Sequence, residues 1–402
     1  MILDRLFTRS LEGPYPLTAG RILEVLGGTP VHAGVTVSEQ SALGVTAVYR
    51  AVSIIAGAGG ALPIRAFRER DDGREDLGAP WFEVEPYPDV SPFQYKELVF
   101  TDLLLWGNHY SLKIRSETGD KILRLLRVPP WQVQVRRERS TGLNPSGKLY
   151  TCAGAAQPYT PWEMLHVPGL GYDGLVGLSP ISLARQAIGL AVAAEEYGAR
   201  LFGSGALMSG ILTTEQALPD EDTAKALKAR WQAMIAGVAR SHEVAILDRG
   251  AKFEPVSINP EDAQMLATRQ FSIQEIARLY GVPPFLLADS SGSTSWGSGL
   301  QTFGEMFVRF TLTTWLARVE QRFSAHLLPR GQEARFVTDA LLRGSATERA
   351  AYYQTMKAIG ALTVDEIRDR EDLPPMPDGE EEETPEPEPE PEPEPAEEEV
   401  PA

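Results

Sequence analysis

The stretch "SINPEDAQMLATRQFSIQEIARLYGVPPFLL", residues 257–287, carries the strongest fold signal in the sequence. Asn259 is a preferred N-cap residue and Gly281 a preferred stop, so the residues between them are predicted to form a long helix. Residues 289–299 follow and are almost entirely Ser, Gly and Thr, with the single aromatic Trp296. Because an apolar face at helical spacing resumes directly afterwards, the sequence predicts a polar loop between two helices.

Upstream of this stretch, the first 170 residues mix helical and strand patterns. Residues 45–55 carry an apolar stripe at helical spacing, and the glycine cluster at 57–60 is expected to end that helix. Ser91 or Pro92 is predicted to open a second helix that continues to about Trp106. Strand-like runs are expected at residues 62–67, 110–114, 122–128, 133–137 and 164–167.

The rest of the chain is predicted to be mainly helical, which makes the fold class α+β. Ser179 and Pro180 are a good helix start, and that helix is expected to reach about residue 202. A helix over 220–236 is expected to precede a hairpin whose strands are 244–247 and 252–256. A last helical segment is predicted over residues 347–370.

Charge is concentrated at one end of the sequence. The net charge is −17, and residues 378–402 hold thirteen acidic side chains without any Lys or Arg, which leaves −4 for the rest. This Pro-Glu segment cannot bury apolar surface and is predicted to be disordered. The remainder is only mildly acidic, and no basic cluster suggests a surface that grips nucleic acid.

The sequence contains few patterns typical of catalytic or metal-binding sites. Cys152 is the only cysteine, and the five histidines are scattered, with His166 in a predicted strand as the best metal-ligand candidate among them. Neither a P-loop nor a nucleophile elbow is present. The sharpest pattern is "GLGYDG" at residues 169–174, which matches the glycine fingerprint of dinucleotide sites but stands next to Pro168. A nucleotide-binding enzyme that uses this loop therefore stays an alternative.

Several stretches, taken in order, resemble the portal protein family of tailed bacteriophages. They are "TAVYRAVSIIAGAGGALPIRAF", "GLSPISLARQAIGLAVAAEEYGARLFGSGALMSGIL" and the opening stretch with its Ile-Ala-x-x-Tyr-Gly-Val-Pro-Pro run. The match covers about residues 45–328, and the acidic tail lies outside it. A portal from a defective phage or a gene transfer agent would look the same.

The resemblance implies a portal-type fold with named regions. It implies an irregular N-terminal segment (1–40), a mixed α+β wing (41–215), a stem helix (216–239), a clip hairpin region (240–258) and a second stem helix (259–282). These are followed by a tunnel loop with a long wing helix (283–330), a crown (331–376) and the acidic tail (377–402).

The resemblance also implies particular contacts for two groups of residues. The tunnel loop, facing a DNA channel, would comprise Asp289, Ser290, Ser291, Gly292, Ser293, Thr294, Ser295, Trp296, Gly297, Ser298 and Gly299. The clip residues expected to contact terminase or adaptor are Arg240, His242, Asp248, Arg249 and Lys252. Trp296 either braces the loop against a neighbouring subunit or touches the duplex.

The function implied by the family is structural and non-catalytic, with neither cofactor nor metal. The expected partners are eleven further copies in a dodecameric ring, double-stranded DNA, the terminase large subunit, a head-tail adaptor and the major capsid protein. The expected location is the capsid vertex of a virion, with assembly in the host cytoplasm. A membrane-associated pore is a third hypothesis, against which the lack of a recognisable transmembrane stretch argues.

Overall fold

The computed structural model describes most of the chain between residues 29 and 376. The described residues are 29–71, 73–119, 121–142, 144–203, 210–213, 222, 225–226, 229, 252–255, 261–289, 303–338, 346–371 and 373–376. They divide into two compact units, Met1–Leu341 and Leu342–Ala402, which we call the first and the second unit.

Two packed helices form the centre of the first unit. Short strands β1 (Thr29–Pro30) and β2 (Thr36–Val37) and the single turn α1 (Glu39–Ala42) lead into helix α2 (Thr46–Ala61). Helix α3 (Pro92–Trp106) packs against α2.

The start and end of α3 agree with the sequence signals. Ser91 is its N-cap and accepts a hydrogen bond from the Gln94 main-chain N at 3.1 Å. Pro92 occupies the first turn, and Gly107 ends the helix with a φ of 72°. The predicted helix is therefore confirmed, because the cap and the stop are both local features of the sequence.

The expectation that the 57–60 glycines end α2 is wrong, because the helix continues to Ala61. A Cβ on Gly59 would lie 2.2 Å from Cε2 of Phe100 on α3, and one on Gly60 would lie 3.1 Å from the Phe93 carbonyl oxygen. These glycines provide space where the two helices touch. The glycines that predicted a helix end therefore form part of the surface on which α2 packs against α3.

Further strands of the first unit are β3 (Ile64–Arg70), β4 (Gly73–Asp76), β5 (Asn108–Arg115), β6 (Ile122–Val128), β7 (Val133–Arg137), β8 (Lys148–Cys152), β9 (Met164–Pro168) and β12 (Gln332–Phe336). They form three antiparallel sheets, one with the order β12–β3–β4, one with the order β6–β5–β9, and one that pairs β7 with β8. Strands β6 and β7 have the predicted bounds, and β3, β5 and β9 are present with shifted ends. Strands β4, β8 and β12 had not been predicted, and the α+β class is confirmed.

The helices that follow belong to the same core. The predicted helix from Pro180 is two helices, α4 (Pro180–Leu183) and α5 (Arg185–Gly203), with Ala184 between them. The long predicted helix of the opening stretch is α6 (Glu261–Tyr280), and Tyr280 Oη donates to the Leu104 carbonyl oxygen of α3 at 3.3 Å. Further along, a π-helical segment (Phe307–Leu312) runs directly into α7 (Thr313–Leu327).

The predicted hairpin is only partly within the described residues. Its second strand is β11 (Lys252–Pro255), which pairs antiparallel with β10 (Gly210–Thr213). Residues 244–247 lie outside the described ranges, as does most of the predicted helix over 220–236. Within the described ranges, no helix is both long enough and apolar enough to cross a bilayer.

The second unit contains two helices where the sequence predicted one. They are α8 (Ala346–Ala358) and α9 (Val364–Arg370), separated by a turn in which Gly360 has a φ of 70°. Thr363 and Glu366 form a reciprocal capping box at the start of α9, with Glu366 accepting from the Thr363 main-chain N at 2.7 Å. This local signal restarts the helix.

Candidate functional site

Most of the predicted site residues lie outside the described ranges. Of the predicted tunnel loop only Asp289 is described, and Ser290–Gly299 are not; of the predicted clip contacts only Lys252 is described, and Arg240, His242, Asp248 and Arg249 are not. Lys252 is the first residue of β11 and stands opposite Thr213 in the ladder. The structure does describe the residues that precede and follow segment 290–302, and we call these residues the loop base.

The base is held by a direct link between its two sides. A 3₁₀ turn (Pro284–Leu287) follows α6, Ala288 adopts a left-handed conformation, and Asp289 is buried. On the returning side, Thr311 Oγ1 donates to the Gly281 carbonyl oxygen at 2.6 Å. The rings of Phe285 and Phe303 lie 6.1 Å apart. The loop therefore has a defined base formed by α6 and the π-helical segment.

The π-helical segment itself is supported by side-chain hydroxyls. Thr313 Oγ1 donates to the Val308 carbonyl oxygen at 2.8 Å, and Thr314 Oγ1 donates to the Thr311 carbonyl oxygen at 2.7 Å. These bonds satisfy carbonyl groups where the regular helical pattern changes. Single π turns inside helices occur frequently at functional sites.

Three large apolar side chains on this returning helix are exposed in the single subunit. They are Phe303, Met306 and Phe310, and Phe310 is 63 % exposed. Their spacing of three and four positions places them close together on the helix surface. A contiguous exposed apolar group of this kind is typical of a protein-protein contact.

Sequence reasoning missed a largely buried polar cluster at the junction of α3 and β5. His109 Nδ1 donates to Asp102 Oδ2 at 2.8 Å, and His109 Nε2 lies 2.9 Å from Ser111 Oγ. Tyr95 Oη lies 2.9 Å from the same Ser111 oxygen. Arg127 binds Asp102 with two hydrogen bonds, of 2.9 and 2.6 Å.

The order Ser111–His109–Asp102 reproduces the connectivity of a hydrolase triad, but its environment differs. All three side chains have zero exposed area, so the Ser111 hydroxyl has no path to a substrate in this structure. Arg127 neutralises the carboxylate that a triad would use to support an imidazolium. The cluster is therefore a structural element that ties α3 to the β5–β6 pair.

The "GLGYDG" loop is a second point at which the structure corrects the sequence reasoning. The strand before it, β9, is antiparallel to β5, and no parallel strand pair occurs in the part of the chain that the structure describes. Asn108 holds the base of the loop, because its amide accepts from Gly177 N and donates to the Gly177 carbonyl oxygen, each at 2.7 Å. The geometry does not match a dinucleotide fingerprint, which needs a parallel βαβ unit.

His166, the best metal-ligand candidate in the sequence, is used internally. Its Nε2 lies 3.0 Å from Asn108 Oδ1, which also accepts from Gly177 N, so His166 Nε2–H is the donor. Burial and the nearby cations Lys148 and Arg322 hold the pKa of His166 well below its usual value. Within the described ranges, no group of three or more potential ligands is arranged for a metal ion.

The comparisons with solved structures define the class of fold. A "HK97 Family Phage Portal Protein from Corynebacterium diphtheriae" superimposes with a TM-score of 0.57 at 17 % identity, covering 75 % of this chain and 96 % of that one. A chain from the "Neck of native GTA particle computed with C12 symmetry" gives 0.54 at 21 % identity, covering 93 % and 99 %. The α+β fold is thus the fold of portal subunits.

The sequence comparisons show the family. A model described as "Phage portal protein" matches residues 46–372. The chain is 35 % identical over 369 residues to the "Probable portal protein" of Streptomyces phage phiC31, covering 88 % of this chain and 79 % of that one. It is 31 % identical over 358 residues to the "Portal protein" of Enterobacteria phage HK97, covering 86 % and 82 %. The chain belongs to the phage portal protein family.

Proposed function

We propose that this protein is the subunit of a portal ring at one capsid vertex, through which double-stranded DNA is packaged and later ejected. The observation that carries the proposal is the family match over residues 46–372, most of the chain. The structurally similar chain from the neck of a GTA particle with C12 symmetry supports a twelve-fold ring. The ring would form in the host cytoplasm and then reside in the virion, and its role is structural, without catalysis.

The regions of the subunit take their proposed roles from the family. Helix α6 is the returning stem helix, the π-helical segment with α7 is the long wing helix, and residues 289–299 are the tunnel loop. Residues 240–258 are the clip, which would contact the terminase large subunit during packaging and the head-tail adaptor afterwards. The major capsid protein surrounds the ring.

The composition of the proposed tunnel loop suits a channel that must not hold DNA. Each Lys or Arg that neutralises a phosphate strengthens binding through counterion release, with a salt slope of about 0.9 per contact. Twelve copies would repeat every such contact around the ring. Residues 289–299 contain neither Lys nor Arg, so the rim they form would be polar but weakly adhesive.

The exposed apolar side chains beside the loop base supply a ring contact. In a head-to-tail ring each subunit uses two different surfaces, and the rotation between copies closes the assembly. Phe303, Met306 and Phe310 are accordingly assigned to one of these surfaces. Exposure of large apolar groups would then be a property of the isolated subunit alone.

The first test is mass photometry with negative-stain imaging of the purified chain. Rings with a central hole and a mass near twelve subunits of 44.0 kDa are expected. Phe310→Asp should reduce ring formation, whereas Val84→Asp, at a residue 72 % exposed in a different part of the first unit, should leave rings intact. Monomers at all salt and protein concentrations, even with capsid protein present, would contradict the ring.

The loop itself is tested by packaging velocity. Ser291→Lys with Ser293→Lys should slow DNA translocation, and the effect should weaken as salt rises.

Trp296→Ala should leave rings intact and impair packaging or DNA retention. Normal phage yield from the Trp296 variant would exclude a role for that side chain.

A further inference from the structure

A small cavity lies in the first unit between strands β8 and β9 and helix α7. Its volume is about 110 Å³, and it opens partly to solvent. The residues that line it come from both sides of this junction. They are Ser146, Lys148, Tyr150, Pro161, Met164, His166, Arg322 and His326.

The lining has positive charge without a carboxylate. Lys148 and Arg322 both face the cavity, and neither Asp nor Glu lines it. Lys148 Nζ donates to the Gly174 carbonyl oxygen at 2.7 Å and weakly to that of Leu175 at 3.4 Å, which fixes the ammonium group at the rim. Within the described ranges, the Arg322 guanidinium makes neither a hydrogen bond nor an ion pair.

The hydrogen-bond donor and acceptor roles of His166 and Tyr150 in the cavity follow from their partners. His166 donates through Nε2 to Asn108, so its Nδ1 is an acceptor and Tyr150 Oη donates to it at 3.4 Å. The donors left for a guest are the five N–H bonds of Arg322, one N–H of Lys148 and the ring N–H of His326. All of them favour an oxyanion.

The pKa directions agree with this lining, because burial lowers the pKa of both His326 and Lys148 and the neighbouring cations lower it further. Burial, and then Lys113, Arg322 and Lys148, lower the pKa of His326 to about 4. Burial, and then Arg322 and Arg137, lower the pKa of Lys148. Two carboxylates lie nearby without lining the cavity. Asp173 partly offsets the lowering of the Lys148 pKa, and Glu163 partly offsets that of the Lys113 pKa.

We propose that this cavity binds one tetrahedral oxyanion of the phosphate class, held by Arg322, Lys148 and His326. About 10–15 Å³ of such open volume is enough for one water molecule, so a space of about 110 Å³ has room for a phosphate-sized group. The bound anion would bridge α7 to the β7–β8 sheet. The site goes beyond the proposed ring function and does not depend on it.

The test is titration of the full chain with inorganic phosphate at constant ionic strength, followed by calorimetry and by the thermal midpoint. Saturable binding and a rising midpoint are expected, since a ligand that binds only the folded state stabilises it. Sodium chloride at the same ionic strength should produce neither. Sulfate, a tetrahedral dianion like hydrogenphosphate, should compete with phosphate.

Variants locate the site on the cavity. Arg322→Gln should weaken phosphate binding by about tenfold or more, because a charge-assisted hydrogen bond is lost. Arg318→Gln, one turn earlier on α7 and 5.9 Å from the Trp315 ring, removes an equal charge outside the cavity and should bind as the parent does. Equal affinity in Arg322→Gln and the parent would overturn the assignment, as would absence of saturable phosphate binding by the parent protein itself.

Discussion

Replacement of Gly281 by Ala should destabilise the loop base by two separable effects. Gly281 has a φ of 66°, a left-handed conformation that costs an Ala about 1–2 kcal/mol. A Cβ at this position would also lie 2.8 Å from Thr311 Oγ1, too close for the 2.6 Å hydrogen bond to stay as it is. A lost hydrogen bond adds about 1 kcal/mol, so the expected total is about 2–3 kcal/mol.

Thr311→Ala separates the two effects. Alone it removes the hydrogen bond and should cost about 0.5–1 kcal/mol, because the exposed Gly281 carbonyl can bind water instead. In the double variant the clashing oxygen is absent, so only the backbone strain and one lost hydrogen bond remain. The double variant should therefore be about 1 kcal/mol more stable than the sum of the two single changes predicts.

Gly154→Ala is the matched control. Gly154 has a φ of 80°, and a Cβ there would meet no atom within 4 Å, so it reports the backbone strain alone. Urea unfolding gives the global free energies, and amide exchange at Val282, whose N–H bonds to the Ala277 carbonyl oxygen at 3.0 Å, reports the α6 end locally. A cost of Gly281→Ala no larger than that of Gly154→Ala would contradict the close contact with Thr311, and so would additivity of Gly281→Ala and Thr311→Ala.

Three further outcomes follow from packing and charge. Because the pKa of His326 is about 4 in the folded state against 6.5 unfolded, the stability that its neutral form contributes is fully present above pH 6.5 and is lost as pH falls towards 4. In thermal melts at pH 5, His326→Gln should therefore lose about 1 kcal/mol less stability than the parent protein, allowing for the partial exposure of the side chain. Parallel pH profiles of the two proteins would refute this. Asp102→Ala leaves buried donors unpaired and should cost about 3–5 kcal/mol in urea unfolding, and a loss below 1 kcal/mol would show that the cluster is dispensable. Gly59→Ala should cost at least about 1–3 kcal/mol because of the Phe100 ring, whereas Gly57→Ala, with open space around it, should stabilise α2 by about 0.5–1 kcal/mol; equal effects of the two would contradict the close helix contact.

The elements that could be predicted from sequence are those with local signals. Ser91 and Gly281 mark helix ends in the sequence itself, and they mark the same ends in the structure. The role of Gly59 could not be read this way, because it depends on where Phe100 lies in another helix. The π-helical segment likewise had no signal in the sequence, and the hydroxyl bonds of Thr313 and Thr314 that support it are seen only in the structure.

The tunnel loop and the clip residues were predicted from family resemblance, whereas the buried cluster around Asp102 was not predicted at all. Asp102, His109 and Arg127 come from three different elements, and their spacing in the sequence carries no pattern. One signal was present: His109 and Ser111 are two positions apart in a strand, so they share a face. This signal is weak, because Lys113 and Arg115 continue the same face and make it resemble a solvent-exposed one, although His109 and Ser111 are fully buried.

The hydrogen bonds between Asn108 and Gly177, which we call the Asn108 clamp, hold the base of the 169–177 loop and leave its tip open to insertion. The side-chain amide of Asn108 bonds through both its oxygen and its nitrogen to the main chain of Gly177. At the other end, Gly169 N donates to the Gly107 carbonyl oxygen at 2.7 Å, so the loop is fixed at its two ends. Its tip exposes Leu170 and Tyr172, the latter by 86 %. Chain inserted at the tip would not disturb the clamp. This is where a foreign peptide could be grafted onto the subunit while leaving its core unchanged.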